Sequence, residues 1–274
     1  HVQGVTASAA LTLNNCTVSG NIATGVGGGG ASAVATGFPT ALNLNHCTFS
    51  GNLGTNGNCV YTSVNSSTAT VTYVETIFDG SQFPNIGSFG STLVSGGYNL
   101  SSDGSGNLIA SGDLASINPL LGPLADNGGP TLTHALLACS PAIDAGFNGG
   151  APATDQRGAS FPRPIDGNGD GAATVDIGAF EAPANFRPSI TTLPDQTTPE
   201  DIPLGPLSIT IDDAETPAGS LLVTAMSSNT AVVPNSNLAL GGSGANRDIT
   251  ITPADNASGT TVIIVIVQDG NCLT

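Results

Sequence analysis

The sequence predicts an all-β chain. Residues 1–117 read as a right-handed parallel β-helix, 118–184 as its C-terminal cap, and 185–274 as a β-sandwich. Three observations predict it. A strand-patterned segment recurs at intervals of about 30 residues. A Pro- and turn-rich stretch then replaces the repeat. Short alternating strands between Pro, Gly, Asn and Asp turns fill the rest.

The repeat comes first. Residues 10–21 read ALTLNNCTVSGN and residues 41–52 read ALNLNHCTFSGN, an offset of 31 with most positions identical. A weaker copy, TVTYVETIFDGS, occupies residues 70–81. Each copy alternates apolar and polar residues, the period of a strand with one buried face. Stacking one coil on the next predicts the columns Leu11/Leu42/Val71, Leu13/Leu44/Tyr73, Cys16/Cys47/Thr76 and Val18/Phe49/Phe78. Asn14 and Asn45 also align, and their amides can bond along the column. Residues 83–115 hold the pattern loosely and predict one or two further coils.

The elements CTVSGN and CTFSGN, with the intervening GGGGAS, resemble the repeats of polymorphic outer-membrane proteins and related bacterial β-helix adhesins. From Asn118 the composition changes to NPLLGPLADNGGPTLTHALLACSPAIDAG, then TDQRG, then DGNGDGAATVDIGAFE. This stretch resembles the terminal segment of bacterial choice-of-anchor β-helix proteins. It departs at Ala138-Cys139, where that family more often has Pro-Gly, and a tether from Cys139 to Cys59 is one expectation. A β-helix end exposes strand edges and apolar cross-section, an aggregation hazard that needs a cover. Leu120, Leu121, Leu124, Leu132, Leu136, Leu137, Ile143, Ile177 and Phe180 are the expected covering residues.

After a linker at Ala182–Asn185, the segments SITTL, LGPLSITI, SLLVTAM, NLAL, RDITIT and TTVIIVIVQD predict about seven strands of an immunoglobulin-type sandwich. The order NFRPSI, TPEDIPL, ITIDDAET and a closing QDG resembles the cadherin-like repeats of bacterial adhesins.

Charge narrows the function. The chain carries 20 acids, 4 Arg, no Lys and a formal charge of −16. Nucleic-acid binding needs clustered cations to replace phosphate counterions, and none are present to cluster. No apolar run approaches the ~20 residues of a membrane span; the longest, Val262 to Val267, has strand length. The absence of an initial Met and of a signal peptide leads us to expect a piece of a longer secreted protein. The cysteines, Cys16, Cys47, Cys59, Cys139 and Cys272, are odd in number and lack CxxC spacing. Their pairing stays open, and Cys16 and Cys47 fit small core residues.

Acidity suits divalent cations. Asp166-x-Asn168-x-Asp170-Gly171 matches the first half of a calcium loop, with oxygens at positions 1, 3 and 5 and Gly at 6. Asp176 is the expected closing carboxylate, since Ile177 occupies position 12. A second candidate set lies in the sandwich: Glu200, Asp213, Glu215 and Asp269, where cadherin-like repeats gather carboxylates at a domain end. Ca²⁺ is the expected ion.

Catalysis is poorly supplied. Residues 1–125 hold Glu75, Asp79, Asp103 and Asp113 as their acids, and no Arg or Lys. A polysaccharide lyase needs a basic residue on the coil flank; a glycosidase needs two carboxyls ~5–9.5 Å apart. His46 replaces Asn15 at a repeat corner, and His134 is expected to make a structural hydrogen bond. Arg157 and Arg163 are expected to pair with acids such as Asp155, Asp144 or Asp166. The expectation is therefore a non-enzymatic, calcium-stabilised structural or adhesive segment at a bacterial cell surface. Its expected partners are copies of itself or neighbouring domains, with a cell-surface or glycan ligand as a candidate. A self-assembling extracellular fibre, using an unpaired Cys272, and a carbohydrate-active β-helix are the alternatives.

Overall fold

A computed structural model describes residues 1–25, 27–80 and 82–270; Cys272 lies outside the described residues. The chain divides into two compact units, His1–Ala184 and Asn185 onward. Among the described residues the structure is all-β. Its helical element is one 3₁₀ turn, Asn235–Asn237, and no helix is long and apolar enough to cross a membrane.

The first unit is a β-helix-like coil of parallel sheets. One sheet stacks Val2–Gly4, Ala31–Ala35, Val60–Val64 and Ile86–Phe89. A second stacks Ala9–Asn14, Thr40–Asn45, Ala69–Val74 and Thr92–Ser95. A third stacks Thr17–Ser19, Thr48–Ser50, Ile77–Asp79, Leu100–Ser101 and Leu114–Ala115. Residues 83–115 thus supply one full coil and a partial one.

The repeat dictates the register. Leu11 pairs with Leu42 and Leu42 with Val71; Leu13, Leu44 and Tyr73 follow; Val18, Phe49 and Phe78 form the matching column of the third sheet. These alternate positions point inward, so the columns fuse into one core, in which Leu42, Leu44, Phe49, Val71, Tyr73 and Phe78 are fully buried. Phe49 stacks on Phe78 with centroids 5.7 Å apart, and Tyr73 meets Phe78 edge-on at 5.4 Å. The expected asparagine contact is present: Asn45 Nδ2 donates to Asn14 Oδ1 at 2.7 Å. The glycine run also has a mechanical reason. A Cβ at Gly29 would lie 2.6 Å from Leu53 N, and one at Gly30 2.7 Å from the Phe49 ring. Coils this close exclude any side chain there.

Between the second and third sheets the chain turns on a single left-handed residue. Asn15, His46, Glu75 and Tyr98 occupy this corner with φ of 56°, 49°, 52° and 54°. The next residue donates back to the carbonyl two positions earlier: Cys16 Sγ to Asn14 O at 3.0 Å, Cys47 Sγ to Asn45 O at 3.2 Å, Thr76 Oγ1 to Val74 O at 2.9 Å, Asn99 Nδ2 to Gly97 O at 3.0 Å. Four different residue types thus build one turn.

The segment from Asn118 corrects the expectation of an end cap. Leu108 packs against the first core, and Gly106 lies against Ile86 and receives the Tyr73 hydroxyl hydrogen bond. Residues 118–184 run instead as a strap over the outer flank of the third sheet. Asn15 Nδ2 donates to Thr154 O at 2.9 Å, and Thr17 Oγ1 to Gln156 Oε1 at 2.7 Å. Ala179 N donates to Thr48 Oγ1 at 3.0 Å, and Phe147 stacks on Tyr98 at 5.6 Å. Ile77 and Leu100 share a second core with Leu136, Ala142, Ile177 and Phe180. The physical reason is Ile77, an outward apolar residue where Thr17 and Thr48 stand in earlier coils; it needs a cover as much as the coil end does. Of the residues expected to form that cover, Leu124, Leu132 and Leu137 are exposed. The expected Cys139–Cys59 tether is not formed, because Cys59 is a buried free thiol.

Among the described residues the second unit holds six strands, where the sequence predicts about seven. Ser189–Ile190, Leu204–Asp212, Asn246–Ile251 and Leu238–Ser243 form one antiparallel sheet, and Leu222–Ser227 pairs antiparallel with Ile263–Gln268. Ile209, Ile211, Leu221, Val233 and Ile249 are its buried apolar residues.

Candidate functional site

Two groups of charged side chains stand out. The first lies where the strap crosses the left-handed corner of the coils. Arg163, with a fully buried side chain, places Nε 3.0 Å from Glu181 Oε2 as an ion pair and donates from Nη2 to Gly178 O at 2.8 Å. Its Nη1 lies 3.3 Å from His46 Nδ1, a guanidinium donor that requires the unprotonated nitrogen. Glu181 also accepts Ile165 N at 2.9 Å and Asp176 N at 3.0 Å. Asp176 in turn accepts Asp144 N at 2.8 Å and Ala182 N at 2.5 Å. Glu75 Oε1 accepts Phe147 N at 2.7 Å, while its Oε2 is buried without a hydrogen-bond partner. Arg157 grips Asp155 through Nε at 2.8 Å and Nη2 at 2.6 Å, between the rings of Phe161 and Phe180.

Burial sets the protonation of this cluster. It pushes the carboxyls of Glu75 and Glu181 up to about 7, although Arg163 opposes the shift in both. Burial and then the charge of Glu181 hold Asp176 well above the usual carboxylate range. Burial, with Arg163 adjacent, pulls His46 down to about 4. The signs follow. A carboxyl raised in the folded state adds stability below its ordinary value near 4.5, and that stability is lost as pH rises toward 7. His46 acts oppositely, losing stability as pH falls from 6.5 toward 4. Three raised carboxyls, Glu75, Glu181 and Asp176, outweigh one imidazole, so these groups favour mildly acidic pH. Glu75→Gln is expected to raise the melting temperature near pH 8 by a few degrees and to flatten its fall between about pH 5 and 7. Thermal unfolding across that range checks it; an unchanged slope counts against the assignment.

The pairing of Arg157 with Asp155 and the structural bonds of His134 agree with expectation. His134 Nδ1 meets Gly122 O and Nε2 meets Ser19 Oγ, both at 2.8 Å. The Arg163–Glu181 pair and the part played by Glu75 and His46 were not read from the sequence. The available signal was Glu75 itself, an acid at a repeat corner within a stretch almost free of charge.

Among the predicted metal ligands, Asp166, Asn168 and Asp170 share one turn, closed by a bridge between Ile165 and Thr174. Their oxygens already accept the turn's own N–H groups. Asp166 takes Gly169 N at 2.7 Å and Gly171 N at 2.9 Å; Asn168 takes Asp170 N at 2.9 Å; Asp170 takes Ala172 N at 2.8 Å. Asp176 is not brought to this turn; it is 1% exposed and belongs to the Glu181 cluster.

The second group is different. Asp213, Glu215 and Asp269 can each present an oxygen within 4.8 Å of the others. Asp213 follows the strand Leu204–Asp212 and Asp269 follows Ile263–Gln268, so the ends of two sheets deliver the acids. Asp213 Oδ1 accepts Thr216 N at 2.7 Å and Glu215 N at 3.1 Å, while its Oδ2 is buried without a hydrogen-bond partner. Glu215 accepts Phe186 N. Glu200 is exposed and does not join them. No protein-family model, curated protein or solved structure matches this chain.

Proposed function

We propose that the chain is a non-enzymatic structural or adhesive segment of a bacterial cell-surface protein, stiffened by its strap and by calcium. The observation that carries this reading is the fastening of residues 118–184 along four successive coils, from Asn15 and Thr17 to Tyr98 and Leu100. A stack held along its flank resists bending between coils, which suits a spacer. The charged groups that chemistry would use, Arg157, Arg163, Glu75 and Glu181, are engaged with the strap's own backbone or with one another. Right-handed winding is the expected sense, because crossover connections between parallel strands are right-handed in about 98% of cases. The antiparallel second unit supports a sandwich of immunoglobulin or cadherin type.

Calcium belongs with Asp213, Glu215 and Asp269 in this proposal. Three carboxylates this close repel one another, and a hard divalent ion that takes six to eight oxygens offsets the repulsion. The unpartnered Asp213 Oδ2 leaves a lone pair directed to no donor. The Asp166 turn fits less well, since its oxygens are already occupied. Millimolar Ca²⁺ is expected to raise the melting temperature of the second unit by several degrees, chelation to reverse it, and Asp213→Asn to remove the response. Identical melting curves with calcium and with chelator defeat the proposal.

A further inference from the structure

The corner column of the coils carries two neighbouring thiols that its architecture does not require. The structural task at this position is a hydrogen bond to the carbonyl two residues earlier. Thr76 and Asn99 perform it with a hydroxyl and an amide. Cys16 and Cys47 perform it with sulfur, in adjacent coils.

Their alignment is fixed on both sides. Asn14 pairs with Asn45 before them and Thr17 with Thr48 after them, both in parallel register. Neighbouring strands lie about 4.7–4.9 Å apart, within the Cα separation of about 4.4–6.8 Å that a disulfide accepts. Both side chains lie on the core side, and Cys47 Sγ reaches 3.5 Å from Leu13 O of the first coil. Both are free thiols. We propose that Cys16 and Cys47 form a redox-responsive dithiol that closes to a disulfide between the first and second coils.

The two sulfurs differ in a way that orders the reaction. Cys16 is half-exposed; Cys47 is fully buried. The hydrogen bond from Cys47 lowers the Cys16 thiol to about 6, while the same contact, and then burial, raise Cys47. Cys16 is therefore the attacking thiolate, and the oxidant is a small disulfide such as oxidised glutathione. Its sulfur attacks one sulfur of that disulfide, forming a mixed disulfide and expelling the other as a thiolate. Cys47 then gives up its proton and attacks Cys16 Sγ, expelling the second thiolate. Two protein thiols are oxidised and one small-molecule disulfide is reduced to two thiols. Closure ties together residues 31 positions apart and secures the least buried coil of the core.

The test uses the full chain, incubated with oxidised glutathione and with dithiothreitol. The expected product has a Cys16–Cys47 peptide linkage by mass spectrometry, two fewer titratable thiols and a melting temperature several degrees higher. Cys59→Ser should leave the linkage intact, whereas Cys16→Ser and Cys47→Ser should each remove it. The alkylation rate of Cys16 should show an apparent pKa near 6 that rises in Cys47→Ser. Stable glutathionylation of Cys16 without resolution by Cys47, or two thiols that persist under oxidant, overturns the proposal.

Discussion

Arg163→Met is expected to cost about 3–5 kcal/mol of folding stability near pH 8, because it leaves buried carboxylates without their cation. The Arg163 side chain is fully buried and Glu181 is 1% exposed, so water does not repair the loss. Of its other two contacts, the one to Gly178 O lies within the strap and the one to His46 joins the strap to the second coil, so the strap should loosen as well. The loss should depend on pH. Glu75 and Glu181 already titrate near 7 in the folded protein, and removing a neighbouring positive charge raises them further. At about pH 5 both are protonated in the variant, and the uncompensated charge is gone. The variant should therefore recover much of its stability on acidification. Chemical denaturation of both proteins at the two pH values measures this. Equal losses at both would show that Arg163 acts through packing rather than charge.

The coil was legible because its physics is periodic. Alternation in ALTLNNCTVSGN and ALNLNHCTFSGN gives strands, and identical spacing gives register, so Leu11, Leu42 and Val71 meet as expected. The corner was not legible as a class, because Asn15, His46, Glu75 and Tyr98 share a backbone conformation and no chemistry. The strap was misplaced for a related reason. Its leucines promised a cover but did not say of what, and the decisive residue lay elsewhere. In TVTYVETIFDGS, Ile77 and Phe78 are consecutive apolar residues, the mark of a strand buried on both faces. The acids of the second unit divide similarly. Asp213 and Asp269 directly follow strands whose ends the pattern located, and they converge with Glu215; Glu200 lies in a loop that no periodicity constrains, and it stays apart.

Phe49→Ala is expected to destabilise the first unit by about 3–5 kcal/mol, the cost of a large core truncation that neighbours cannot refill. The surroundings argue for the upper part of that range. Phe49 is fully buried, stacks on Phe78, and lies over Gly30 and beneath the coil that carries Cys59. Stacked parallel strands held by in-register hydrogen bonds cannot close in on the gap without breaking them. Val18 occupies the same column one coil earlier, where it is only half-buried, so Val18→Ala should cost markedly less. Urea unfolding of the two variants against the parent chain provides the comparison. Similar losses at both positions would mean that the first coil is as tightly enclosed as the second, which the exposure of Leu11, Leu13 and Val18 argues against.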